Sequence, residues 1–196
     1  MNLDGARVGF AMTGSFCTFG AALGCLAEIV RRGAKVTPVL SHAADTLDTR
    51  FMTAAELKEK LLRITGAEPL RTIVEAEPIG PKRLLDILLV LPATGNTLAK
   101  MVNGITDTPA LMAIKSHLRN NAPVVIGVST NDALGTAGQN IGRLLTARNV
   151  YFVPFYQDDP ALKPRSLTFS REYVTPALEE ALEGRQIQPI ITSAQL

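Results

Sequence analysis

Two long apolar segments constrain the fold of this chain more than any other feature. They run from Asp86 to Leu91 (DILLVL) and from Pro123 to Val128 (PVVIGV). Apolar runs without polar alternation are typical of strands that are covered on both faces, as in a parallel sheet. A short polar stretch follows each run, and then a segment of helical periodicity. The pattern therefore predicts βαβ units, with helices on both faces of a parallel sheet.

The same alternation extends along the rest of the chain. Further strands are predicted at Val8 to Met12, Lys35 to Leu40 and Val150 to Val153. Helices are predicted over Phe19 to Arg32, Thr53 to Ile64, Thr97 to Asn103, Pro109 to Arg119, Gly135 to Ala147 and Pro176 to Glu183. Thr53 and Glu56 have the spacing of a capping box. With 196 residues and no repeat or linker, we expect one three-layer α/β domain over residues 1–196, with an extended tail from about residue 185.

Composition excludes several classes of function. The 20 basic and 18 acidic side chains leave a net charge of +2, and the basic residues are scattered. This balance argues against nucleic acid or an anionic membrane as a partner. No apolar run approaches the roughly 18 residues that a membrane span needs, and the first residues lack the pattern of a secretory signal. We therefore expect a soluble cytoplasmic protein.

The two cysteines, Cys17 and Cys25, lie eight residues apart in one predicted turn and helix. This spacing is poor for a disulfide, and no other cysteine or cluster of histidines completes a zinc site. We expect no metal centre. Cys17 is interpreted as a small buried residue at the start of a helix, and a reactive thiol is the less favoured alternative.

Polar residues follow four of the predicted strands at the point where each strand ends. They are Thr13-Gly14-Ser15, Ser41-His42, Thr94-Gly95-Asn96-Thr97 and Ser129-Thr130-Asn131. Ligands of open α/β sheets bind at the carboxyl ends of the strands, and glycine with hydroxyls at a helix start suits a phosphate. The turns match neither the dinucleotide-binding nor the Walker pattern, so neither NAD nor ATP is indicated. The alternative at each turn is an ordinary helix cap.

These residues together resemble the signatures of the flavoprotein decarboxylase family. The match consists of Gly14-Ser15, Pro92 to Thr97 with Lys100, and Asn131, and it spans roughly Arg7 to Pro154. That family includes phosphopantothenoylcysteine decarboxylase, the lantibiotic peptide-cysteine decarboxylases and the flavin prenyltransferases. The resemblance implies a Rossmann-like, flavodoxin-like fold, bound FMN, and assembly as a homo-oligomer, either a trimer or a dodecamer.

The resemblance also implies which residues hold the cofactor. Gly14 and Ser15 would hold the FMN phosphate, with help from Ser41. Thr94, Gly95, Asn96 and Thr97 would line the flavin ring, and Ser129 would contact it from another strand end. Thr13 and Asn131 complete the predicted cofactor set.

Two departures from the family argue against its cysteine-decarboxylase reaction. Family members carry a histidine shortly before the third strand, where Glu77 to Lys82 has none. They also place a cysteine in a late loop, and this chain has none after Cys25. A family match without these groups supports the cofactor but leaves the reaction open.

A smaller group within the family matches the loops as well. Gly14 to Thr18, Thr49-Arg50-Phe51, Ala76 to Lys82, Val128 to Gly135 and Tyr151 to Phe155 resemble the flavoprotein subunit of a two-subunit synthase in spore-forming bacteria. The resemblance implies oxidation of a dihydropyridine dicarboxylate to the calcium-chelating pyridine dicarboxylate of the spore core. The partner would be a dehydrogenase-like subunit that can carry NADP.

Such a substrate needs cations for its two carboxylates. The candidates are Arg50, Lys82, Lys163 and Arg165, and for each the alternative is a solvated surface charge. His42 is a base if it faces the flavin and otherwise packs beside the phosphate turn, whereas His117 is interpreted as a surface or packing residue. No catalytic residue is assigned. Two other hypotheses stay open: a non-catalytic binding or assembly subunit, and an independent decarboxylase or prenyltransferase-like flavoenzyme.

Overall fold

The strands form one seven-stranded sheet in a computed structural model that describes residues 2–193. The strands are β1 (Arg7–Met12), β2 (Lys35–Leu40), β3 (Ile87–Ala93), β4 (Val124–Thr130), β5 (Val150–Phe152), β6 (Phe155–Tyr156) and β7 (Leu167–Phe169). Their order across the sheet is β2-β1-β3-β4-β7-β6, and β5 also pairs with β4.

Helices follow most of these strands. They are α1 (Phe19–Arg31), α2 (His42–Thr46), α3 (Ala54–Thr65), α4 (Ile73–Ala76), α5 (Gly95–Val102), α6 (Pro109–Leu118), α7 (Thr136–Leu145) and α8 (Val174–Leu182). Short 3-10 turns cover Phe16–Thr18, Glu77–Ile79 and Arg171–Tyr173. The predicted capping box at the start of α3 is confirmed, because Thr53 and Glu56 exchange both of its hydrogen bonds. Neither α2 nor α4 was predicted.

The parallel strands explain why the sequence shows uninterrupted apolar runs. Along β3, Ile87, Leu89 and Leu91 face one hydrophobic core, and Leu88 and Val90 face a second core on the other side of the sheet. Alternate side chains of a strand point to opposite faces, so a strand between two helical layers is apolar at every position. The predicted Rossmann-like α/β fold is confirmed.

The sheet differs from the prediction at one edge. Strands β1 to β5 pair in parallel, but β7 pairs antiparallel with the end of β4, where Ser129 lies opposite Thr168. β6 then pairs antiparallel with β7. The short β5 contacts only Val124 to Ile126, so the final residues of β4 take their hydrogen bonds from β7. Strands of two and three residues are too short to produce a sequence pattern.

His117 lies inside the protein, at the end of α6. Its side chain is 1% exposed, so it belongs to the packing alternative and not to the surface. Burial lowers the pKa of His117 to about 4, although a hydrogen bond to the backbone of Pro123 opposes this shift. The imidazole is therefore neutral near pH 7.

The last described residues run along the edge of the sheet. Ile191 forms a parallel bridge with Phe155, and the Gln186 side chain pairs with the backbone of Phe152. The final part of the predicted tail, residues 194–196, lies outside the described residues. Between residues 2 and 193, no helix has the length and apolar character to cross a membrane.

Candidate functional site

Thr13 joins the carboxyl ends of β1 and β3. Its buried hydroxyl donates to the Pro92 carbonyl at 2.7 Å and accepts from the Thr94 amide at 3.0 Å. The side chain therefore holds the two predicted signature turns in a fixed relation. This geometry gives Thr13 a positioning role at the strand ends.

A first cleft of about 380 Å³ opens where β1, β2 and β3 end. Three helices begin at this cleft, and each is capped by a side-chain oxygen. Ser41 accepts from the Ala44 amide, Thr94 from Thr97 and Thr108 from Leu111, at 3.2 to 3.3 Å. The remaining first-turn amides of α5 and α6 have no acceptor inside their own helix. Such amides, with the partial positive charge of the helix start, favour an anion.

The first cleft also carries charged side chains. Lys100 lines it and pairs with Asp107 at 2.6 Å. The hydrogen bond from Lys100 is the largest cause of a lowered pKa for Asp107. His42 lies exposed on the same cleft, and Asn96 makes no side-chain hydrogen bond within residues 2–193. The cleft therefore offers donors that are not yet used within the chain.

A second cleft of about 290 Å³ lies on the other side of Gly14 and Thr94, which border both clefts. Its floor is a cluster of three hydroxyls. Ser129 Oγ lies 2.8 Å from Ser15 Oγ and 3.1 Å from Thr18 Oγ1. These contacts join the first turn of the chain to the end of β4.

The loop between β6 and β7 forms the opposite wall of the second cleft. Lys163 Nζ lies 3.1 Å from Asp158 Oδ2, and Ser166 Oγ donates to Asn131 Oδ1 at 3.4 Å. Burial raises the pKa of Asp158, but hydrogen bonds from Ser166 and Lys163 more than offset this and lower it overall. The hydrogen bond with Asp158 is the main cause of the raised pKa of Lys163. The pair is therefore ionised at neutral pH.

Two glycines allow these elements to approach one another closely. A Cβ atom at Gly14 would lie 3.2 Å from the Ala43 Cβ, and one at Gly95 would lie 3.1 Å from Thr130 Oγ1. A larger side chain at Gly14 would fill space between the clefts, and one at Gly95 would press on Thr130 and Ala137. Because Gly14 has no side chain, the space between the two clefts stays open.

The structure brings the predicted cofactor residues together at the carboxyl ends of the parallel strands. Thr13, Gly14, Ser41, Thr94, Asn96 and Thr97 line the first cleft, and Ser15, Ser129 and Asn131 line the second. Gly95 is the first residue of α5. The Ser15 side chain bonds Ser129 and not Ser41, so the residues expected around one phosphate lie in both clefts.

The four predicted substrate cations are placed very differently. Lys163 lines the second cleft. Arg165 lies nearby, where its carbonyl accepts from the Leu134 amide, and Arg50 stacks on the Phe51 ring outside both clefts. Lys82 precedes β3 at the amino end of the sheet, roughly 20 Å of strand away from the clefts. The structure therefore does not place Lys82 beside the predicted site.

Sequence reasoning missed several residues of the second cleft. Cys17, interpreted as buried, is exposed and lines this cleft, whereas Cys25 is buried and burial raises its pKa to about 11. Both thiols are unpaired, as predicted from their spacing. Asp158 was not assigned a role in the site, and Ser166 gave no signal because it lies between strands too short to recognise. Residues 2–193 contain no group of three side chains suited to a metal ion.

Comparison with known proteins identifies the family and the fold. Residues 1–155 match the family model described as Flavoprotein. This chain belongs to the flavoprotein family. Among its relatives, the B subunit of dipicolinate synthase from Bacillus subtilis (strain 168) is 45% identical over 97% of this chain and 95% of that protein. This relative is, by its name, one subunit of a synthase, as the loop segments indicated.

Solved structures of other flavoproteins agree with this placement. The crystal structure of the dipicolinate synthase B subunit from Bacillus halodurans C matches with a TM-score of 0.90 and 46% identity, over 98% of each chain. The FMN-dependent cysteine decarboxylase SpaF matches with a TM-score of 0.64 and 18% identity, over 91% of this chain and 98% of that one. The second likeness concerns the fold alone.

Proposed function

We propose that this flavoprotein binds FMN across the two clefts and acts as the flavin subunit of dipicolinate synthase. In this role it oxidises dihydrodipicolinate to dipicolinate (pyridine-2,6-dicarboxylate) during sporulation, together with the dehydrogenase-like A subunit of that enzyme. The observation that carries the proposal is the pair of adjoining clefts, both built from the predicted strand-end residues. The likeness to the B subunit of dipicolinate synthase over nearly the whole chain supports the choice of substrate.

The chemistry of the first cleft fits the phosphate of FMN. Capped helix starts, the Asn96 amide and the cation Lys100 face the same space. Phosphate oxygens accept several hydrogen bonds, which this combination can supply. The Gly14 backbone borders the cleft without a side chain in the way. We assign Gly14, Ser41, Asn96 and Thr97 to the phosphate end.

The second cleft then takes the flavin ring and the substrate. Thr94 and the hydroxyls of Ser15 and Ser129 lie where the two clefts meet. When bound, the flavin supplies an acceptor for a hydride. The task of this chain is to orient a dicarboxylate beside the ring, and Lys163 and Asn131 are the residues placed to do so. NADP on the dehydrogenase-like partner is the other hydride acceptor that we consider.

A non-catalytic role is the second candidate function. Lys163, the one predicted substrate cation that lines the second cleft, is already paired with Asp158. This favours a binding or assembly role if no further cation reaches the substrate. An independent decarboxylase or prenyltransferase-like activity is less favoured because the histidine and late cysteine of those enzymes are missing. We also propose that the chain forms a homo-oligomer, a trimer or a dodecamer by analogy with its family.

Reduction of the bound flavin by the substrate distinguishes the oxidase role from the assembly role. The chain is expressed without its dehydrogenase-like partner, and its visible spectrum is recorded before and after anaerobic addition of dihydrodipicolinate. A flavin band that bleaches supports the oxidase role. A flavin band that stays unchanged, with activation of the partner on mixing, favours the assembly role. A colourless protein that takes up no added FMN contradicts the cofactor assignment.

Asn96→Ala tests the phosphate end of the proposed site. The change removes an amide that faces the first cleft, so we expect about tenfold weaker FMN binding, as for loss of a hydrogen bond to a charged group. Asn103→Ala at the other end of α5 is the matched control, since within residues 2–193 the Asn103 side chain bonds only the Ala99 carbonyl. Flavin fluorescence titration of both variants measures the difference. Equal affinity in the two variants would remove Asn96 from the site.

A further inference from the structure

Lys163 is the cation of the second cleft, and its charge is held by Asp158. Their side chains lie 3.1 Å apart, and both residues line the cleft. The Lys163 side chain is 47% exposed and that of Asp158 is 28% exposed, so water reaches the pair. Exposed ion pairs of this kind are weak, because water solvates both partners almost as well. The lysine can therefore change partners at little cost.

The neighbours of Lys163 favour a second carboxylate in the cleft. Asn131 and Ser166 lie beside the pair and are joined by a long hydrogen bond of 3.4 Å. Such an amide and hydroxyl can turn to donate to a ligand oxygen. The other acid of the cleft, Asp132, is occupied by the Ala137 amide at the start of α7. Asp158 is thus the acid that competes directly for Lys163.

The loop that carries the pair keeps its shape without the ion pair. Gln157 Nε2 donates to the Pro164 carbonyl at 2.9 Å, and the Lys163 amide donates to the Asp159 carbonyl at 2.7 Å. The Leu162 amide donates to Asp159 Oδ1 at 3.0 Å. These bonds fix the backbone on both sides of Lys163. The ion pair can therefore open while the loop stays in place.

We propose that Lys163 exchanges Asp158 for a carboxylate of the ligand, and that this exchange makes the second cleft selective for small carboxylic acids. A ligand carboxylate between Lys163 and Asn131 makes charge-assisted hydrogen bonds with less water around them than the exposed pair has. Asp158 then competes with the ligand carboxylate for Lys163 and so lowers the affinity for the ligand. The inference rests on the proposed function, since it concerns the substrate side of the same site.

Binding of dipicolinate to the isolated full chain tests the exchange by calorimetry, with and without added FMN. Lys163→Gln should weaken binding about tenfold, and Lys163→Arg should keep it within about threefold of wild type. Asp158→Asn should strengthen binding about threefold, because the competitor is lost. Asp159→Asn makes the same change of charge one residue away and keeps an oxygen for the Leu162 amide, so its affinity should stay within about twofold of wild type.

A neutral analogue supplies the second control. Pyridine-2,6-dicarboxamide has the same shape but no charge, and it should bind wild type and Lys163→Gln equally weakly. Thermal melting of each variant checks that the fold is intact. The exchange is overturned if wild type does not bind dipicolinate, if Lys163→Gln binds it as wild type does, or if Asp158→Asn weakens binding.

The visible spectrum of the same samples shows whether they contain flavin, which tests the cofactor proposal independently. A chain that retains flavin but binds dipicolinate independently of Lys163 contradicts only the exchange. A chain without flavin that shows the expected pattern contradicts only the cofactor assignment.

Discussion

Polar residues occupy both ends of the central sheet, but they are used differently at the two ends. At the amino end, Arg7 pairs with Asp86 through two side-chain hydrogen bonds and also donates to the Arg83 carbonyl. Asn120 donates to the Gly80 carbonyl at 2.6 Å. At the carboxyl end, Asn96, His42 and Cys17 face clefts. The Arg7, Asp86 and Asn120 side chains are thus occupied by contacts within the chain, whereas Asn96, His42 and Cys17 border the two clefts of the proposed site.

Gly14→Val tests the clefts at the carboxyl end of the sheet and should have the largest effect, on FMN binding. The branched side chain would meet Ala43 and fill the border between the two clefts. We expect FMN binding to fall by at least about a hundredfold, as for a ligand that loses most of its site. Flavin titration measures this, and far-UV circular dichroism checks the fold.

Gly20→Val is the matched control for Gly14. A Cβ atom at Gly20 meets nothing within 4 Å, and the residue is exposed on α1. Its FMN affinity should stay at the wild-type value. Wild-type affinity in a folded Gly14→Val protein would show that the ligand does not cross this border.

His117 lies at the amino end of the sheet, and its burial predicts how the stability of the protein depends on pH. Its pKa is about 4 in the folded protein and about 6.5 in the unfolded chain, so the unfolded chain binds the extra proton between these values. The contribution is fully present above about pH 6.5 and is lost as the pH falls towards 4. We expect a decrease on the order of 3 kcal/mol in the free energy of unfolding across this window.

Urea unfolding at several pH values measures this loss. His117→Gln should flatten the profile, whereas His42→Gln, at an exposed histidine of the first cleft, should leave it unchanged. An equally steep profile in His117→Gln would assign the acid sensitivity to other groups.

Thr13 is a polar residue at the carboxyl end whose hydroxyl is fully used within the chain, and Thr13→Val tests what these bonds contribute. The change removes the buried Thr13 hydroxyl that the half-buried Thr94 amide donates to and that donates to the Pro92 carbonyl, which keeps only the Thr13 amide. We expect a loss of about 2 kcal/mol in the free energy of unfolding. Thr146→Val, whose exposed hydroxyl bonds the Arg143 carbonyl, should change the same free energy by less than about 0.5 kcal/mol. A neutral Thr13→Val would mean that the strand ends are held by packing alone.

The part of the site that sequence could predict is the part built on regular elements. Buried strands are indicated by apolar runs such as Asp86 to Leu91, and the polar residues that follow must then meet at one edge. Lys82 stays a predicted candidate, but it precedes β3 and therefore lies at the amino end of the sheet, away from both clefts. Lys163 was a predicted cation, but its pairing with Asp158 could not be predicted, since a loop between strands of two and three residues leaves no periodicity.

The crystal structure of the chain with FMN is the most direct test of the two-cleft assignment. We expect the phosphate in the first cleft, within hydrogen-bonding distance of Ser41 or Asn96, and the ring against Ser15 and Ser129 in the second. A phosphate bound instead by the hydroxyls of Ser15, Thr18 and Ser129, with the ring in the first cleft, would contradict it. So would FMN bound at the amino end of the sheet.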